Sequence, residues 1–179
     1  MVFWKENGAF ILSMAILSVA LTGAMSFYRS WDKGVNETQT AQIMQMVESS
    51  EFPENVYAAV TADDLKLRKK LKAFPVLQAA AKYRENGADD KAAALYKSIV
   101  DGKGYTSEYV DLALVLWAQV GGAPEIVTPK LKALSQNEKS PWQILALIEY
   151  AQVLAKQNQK DAAISVSYTH LTLPTILLV

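Results

Sequence analysis

No cysteine occurs among the 179 residues, which removes disulfides, thiolate metal sites, thiol nucleophiles and a lipidated N-terminal cysteine. Histidine is almost as scarce: His170 is the only one, so imidazole acid–base catalysis and the usual zinc sites lack their raw material. Glycine and proline number 8 and 6, too few for a low-complexity disordered chain. Neither sign of charge is in excess, with 18 basic and 18 acidic residues, so no overall basic field exists to neutralise nucleic-acid phosphates. The carboxylates that remain do not form a catalytic pair. Asp63-Asp64 and Asp89-Asp90 are adjacent in sequence; their side chains diverge, and both pairs fall at expected helix starts, where acids suit the dipole. No catalytic residue, cofactor or metal site is expected.

What the sequence does hold is apolar, at 51% of residues. No charge falls between Glu6 and Arg29. The stretch from Gly8 to Tyr28, built as a helix, would rise ~31 Å, near the hydrocarbon thickness of a bilayer. Phe3 and Trp4 precede it, while Phe27, Tyr28 and Trp31 close it, as interfacial aromatics would. A transmembrane helix over 8–28 is therefore predicted. A cleavable signal peptide, with Thr22 and Ala24 as its small residues, is the rival, but its apolar region should be shorter. Lys5 on one side against Arg29 and Lys33 on the other leaves the orientation undecided.

Beyond a short flank (1–7) and the span comes a connecting region, 29–73. Helical character is expected over Val35–Ser50, interrupted by Pro53, and again over Thr61–Ala73. In that second element Leu65, Leu67 and Leu71 would face inward, and Lys66, Arg68, Lys69, Lys70 and Lys72 would be solvated or touch anionic headgroups. From residue 74 to 164 the punctuation becomes regular. Phe74-Pro75 opens a helix that turns at Asn86-Gly87, and Asp89 is placed to cap its partner. A second pair runs from Thr106 or Ser107 to Gly121-Gly122 and restarts at Pro124, with Pro129 expected to kink it. Ser140-Pro141-Trp142-Gln143 reads as a capping box opening a third pair, whose next helix begins at Lys160. Ala80, Ala113 and Ala151 recur at 33 and 38 residues, close to the tetratricopeptide period of about 34. Ala92 and Ala163 follow in the first and third units, whereas the second has Glu125. The expected class is all-α: a single transmembrane helix followed by a tetratricopeptide-like α-hairpin solenoid. A generic helical bundle is the alternative.

From Val166 the pattern switches to Val-Ser-Tyr-Thr-His-Leu-Thr-Leu-Pro-Thr, then Ile176 to Val179. This decapeptide resembles the translation of a transposon-based sequencing adapter. Residues 165–179 are therefore expected to be a non-native tail that breaks the helix and truncates the repeats.

Several parts together resemble the YfgM-like ancillary subunits of the SecYEG translocon: Phe3 to Gly8, the exit Phe27-Tyr28-Arg29-Ser30-Trp31, the turn and helix from Asn86 to Tyr96, and Trp142 to Ala163. Glu125, Pro124 and Pro129 depart from that pattern. The resemblance implies a bacterial inner-membrane protein with its N-terminus in the cytoplasm and its repeats in the periplasm. Its expected partners are translocon subunits, a periplasmic chaperone such as the prolyl isomerase PpiD, and emerging unfolded chains.

The expected function is thus a membrane-anchored scaffold for protein partners, since stacked hairpins form a groove suited to peptides or helices. Tyr83, Tyr109, Trp117 and Tyr150 are the candidate partner-binding aromatics, although for each of them simple core packing is the commoner role. An envelope assembly protein acting by self-association, like cell-division coordinators with this repeat type, is the alternative.

Overall fold

The computed structural model describes the backbone of residues 2–171 and the side chains of residues 18, 20–159 and 161–166. Among the described residues every regular element is helical: α1 (Val2–Glu48), α2 (Glu54–Thr61), α3 (Ala73–Glu85), α4 (Asp89–Asp101), α5 (Ser107–Gln119), α6 (Pro124–Ser135), α7 (Gln143–Lys156) and α8 (Lys160–Leu171). Two compact units result, Met1–Gln42 and Ile43–Val179.

The first unit is the larger part of α1. No proline occurs before Pro53, and α1 runs on through the connecting region to Glu48. Thr22, Thr38 and Thr40 donate to carbonyls four residues back, and Lys33 pairs with Glu37 at 3.7 Å on the surface. Among the described residues no helix is long and apolar enough to cross a membrane. Their uncharged stretch, Ser18 to Tyr28, would rise only ~16 Å against roughly 30 Å of hydrocarbon, and Arg29, Asp32 and Lys33 follow at once. This overturns the expected single-pass inner-membrane placement, with its cytoplasmic N-terminus, periplasmic repeats and lipid contact through residues 8–28. The rest of that predicted span, residues 8–17, lies outside the residues whose side chains are described.

In the second unit each helix packs on the next in order from α2 to α8, and α2 also touches α4 as α5 touches α7. Short reversals make this possible. At the ends of α2, α3, α5 and α7 the chain closes the same way. Asp64 N–H bonds the Ala59 carbonyl, Ala88 the Tyr83 carbonyl, Gly122 the Trp117 carbonyl and Gln159 the Leu154 carbonyl, at 2.8–3.0 Å. Each bond spans a residue in left-handed backbone: Asp63, Gly87, Gly121 and Asn158. These are Schellman caps, which satisfy the last carbonyls and turn the chain back. After α5 the reversal needs a second glycine, because a Cβ on Gly122 would lie 2.8 Å from the Trp117 ring.

Apolar side chains from α2 to α7 meet in one core. Val56, Val76, Tyr96, Ile99, Val115 and Leu131 are among its fully buried members. The expected small positions Ala80, Ala113 and Ala92 are completely buried and Ala163 nearly so. Ala151 is half-buried and Glu125 exposed.

Three expectations are corrected here. Residues 62–72 do not form the predicted helix but a strap of turns. Asp63 has already ended α2, and the crowded lysines and arginine would repel one another at helical spacing. Of its leucines, Leu65 is buried while Leu67 and Leu71 are half-buried. Capping also differs. Asp89 lies inside α4, whose N-cap is Ala88. The Ser140 hydroxyl accepts from Trp142 N–H at 3.3 Å, but Gln143 reaches the Ser135 carbonyl at 3.2 Å rather than completing a box. Finally, α8 continues through Leu171 where the β-branched run was expected to break it. Such residues cost only tenths of a kcal/mol each in a helix. Pro174 and the other residues from 172 onward lie outside the described residues.

Candidate partner-binding face

Polar contacts link helices about one hairpin apart. Arg84, in the last turn of α3, donates to Gln119 Oε1 at 3.4 Å, and Gln119, the last residue of α5, donates through Nε2 to Glu149 Oε1 on α7 at 2.9 Å. The three side chains form a ladder across the first helices of successive hairpins. Arg84 and Gln119 are exposed, whereas Glu149 is buried. A buried carboxylate is tolerated when such a donor meets it.

Other cross-helix contacts tie the hairpins together. Lys130 on α6 reaches Asp101 on α4 at 3.3 Å, Ser140 donates to Asp111 on α5 at 2.8 Å, and Gln157 donates to Thr128 on α6 at 3.4 Å. Asp101 also accepts from Lys97 at 2.7 Å. That bond, assisted by Lys130 against the cost of burial, holds the Asp101 carboxyl below its ordinary range.

Beside Glu149 the surface turns apolar. Ile144, Leu145 and Ile148 are exposed on α7; at spacings of one, three and four residues they are neighbours on one side of the helix. Patches of this kind are where soluble surfaces bind partners.

The four candidate aromatics are not gathered on this face. Tyr83 and Trp117 are buried in the core, and Tyr109 and Tyr150 are half-buried against it. Tyr83 packs edge-on to Tyr57, with ring centroids 5.8 Å apart. Lys91 Nζ lies 4.9 Å from the Tyr83 centroid and 5.8 Å from that of Tyr57. Among the described residues the Tyr83 hydroxyl has no hydrogen-bond partner. Burial, with the Glu54 charge adding, pushes its ionisation above the ordinary range. Chemical type is all that marks these aromatics in the sequence, and aromatic bulk at helical spacing serves a core as readily as a surface.

Nothing local in the sequence marks Arg84, Gln119 and Glu149 as a set. Arg84 and Gln119 stand 35 residues apart, each just before its turn glycine, so the period could have found them. Glu149 lies in the middle of its helix, and only packing joins it to the set. Among the described residues no group of acids and histidine could hold a metal ion. Compared with family models, curated proteins and solved structures, the chain matched none.

Proposed function

We propose that residues 54–171 form a tetratricopeptide-like stack that serves as a scaffold for protein partners and carries out no chemistry of its own. The stack is supported by the repeated Schellman caps at Gly87, Gly121 and Asn158, spaced 34 and 37 residues apart. Hydrogen bonds that recur 29–35 residues apart in the chain support it too. One observation carries the binding role: the exposed Ile144, Leu145 and Ile148 stripe beside the end of the polar ladder. It combines apolar contact area with fixed polar groups that can set register. The partners named by the family resemblance, translocon subunits, chaperones and unfolded chains, would offer apolar segments of the kind this stripe fits.

Photoreactive residues placed at Leu145 and Ile148 should capture a discrete partner from the native cell. The same group at Lys97, on α4, should not. Equal capture at all three positions, or none at any, removes the scaffold reading. Self-association is the second reading, since the same stripe could pair with itself. A mass by sedimentation equal to two chains, lost in Ile148→Asp, would favour it.

A further inference from the structure

Beneath the strap of residues 62–72, against the C-terminal end of α4, lies a cleft of about 70 Å³. The cleft is small and opens to solvent, a size that suits a compact head group such as a carboxylate. Lys72 and Lys103 stand at its edge, Ser98 and Tyr105 line its wall, and Asp63 supplies a carboxylate. Its floor is a close approach that only glycine allows. A Cβ on Gly102 would collide with the Ser98 carbonyl oxygen and lie 2.8 Å from the Tyr105 ring.

The charge around this cleft is one-sided in a chain that is neutral overall. The strap carries Lys66, Arg68, Lys69, Lys70 and Lys72 against Asp63 and Asp64, and Asp64 is engaged by Lys66 at 2.9 Å. Lys72 Nζ is held 5.3 Å from the centroid of the Tyr105 ring. Among the described residues neither Lys72 nor Lys103 is in an ion pair. Lys72 and Lys103 thus share the lining of this notch with Val60 and Leu65, and among the described residues its one acid is Asp63.

We propose that this cleft receives a carboxylate from an extended acidic segment of a partner protein, with Lys72 and Lys103 gripping it and the remaining strap lysines steering its neighbours. Asp63 competes from inside. Its left-handed backbone, φ 51°, is one that asparagine also adopts readily, so the competing charge can be removed without disturbing the turn. The proposal rests on the scaffold reading only in assigning the acidic segment to a protein partner.

The test uses the full chain and a fluorescent oligoglutamate peptide, with its oligoglutamine counterpart as control, followed by anisotropy. The glutamate peptide should bind and weaken as salt rises; the glutamine peptide should not bind. Lys72→Ala with Lys103→Ala should weaken binding about tenfold, the combined effect of two solvent-facing ion pairs, while Lys139→Ala should leave it unchanged. Asp63→Asn should tighten binding about threefold, by removing one repulsive pair. An unfolded variant cannot mimic that gain. Equal affinity for both peptides, indifference to Asp63→Asn, or full displacement by inorganic phosphate at matching concentration would each overturn the carboxylate assignment. Because the peptide titration and the crosslinking at α7 use different faces, either can fail while the other stands.

Discussion

Asp63, Gly87, Gly121 and Asn158 share the left-handed backbone that closes α2, α3, α5 and α7. Two of the four are glycines, and these were legible in advance because glycine turns are the strongest local punctuation. Asp63 and Asn158 were not, since the same residue types also serve in ordinary loops and helix starts. At position 158 the order of stability should be Gly above Asn above Ala. Asn158→Ala should cost about 1 kcal/mol and Asn158→Gly should gain roughly 0.5 kcal/mol. Urea melts would read both, and a stabilising alanine would show that the cap is not formed. Asp101 offers a second test at this scale. Its folded pKa lies below its unfolded one, chiefly through the Lys97 bond. The stability it contributes is therefore present above its ordinary value, near pH 4. It is lost as pH falls through the lowered folded value. Asp101→Asn should flatten the fall in stability as the pH drops below about 5. Since Asp101 is 44% exposed, the effect should stay below about 1 kcal/mol. An unchanged acid limb in thermal melts would remove Asp101 from the account.

Helices α3 to α7 lie within a few residues of their expected positions, because proline starts, glycine stops and apolar periodicity agree there. The 62–72 strap is where local signals misled. A leucine pattern suggested an inward helix face, yet like charges at helical spacing and the cap at Asp63 favour turns. Within α6, Pro129 lies inside the helix and is exposed, and the element runs on past it to Ser135. Proline there removes the N–H that would bond the Glu125 carbonyl. Pro129→Ala should stabilise the chain by about 1–3 kcal/mol. A lower midpoint in urea would mean that the ring makes contacts which outweigh the missing bond.

Across the Ile43–Val179 unit, stability should rise toward the middle of the helix order. Of the 13 residues of α5, Ser107, Glu108 and Gln119 are the exposed ones, and α5 is packed by α4, α6 and α7. Local opening spreads from sparsely packed elements. Amide exchange should therefore be slowest in α4–α6 and faster in α2 and α8; uniform protection would mean that the unit opens only as a whole. Leu131→Ala, which empties a fully buried site on α6, should cost about 2–5 kcal/mol. Helical class and hairpin rhythm follow from the sequence by itself. Composition removes whole chemistries, and capping is a short-range matter of a few neighbouring residues. Which aromatics are buried, how Arg84, Gln119 and Glu149 line up, where an apolar stripe stays exposed and how the basic strap roofs a cleft were decided only by tertiary packing. Each depends on residues tens of positions apart competing for the same space, and no local pattern encodes the outcome of that competition.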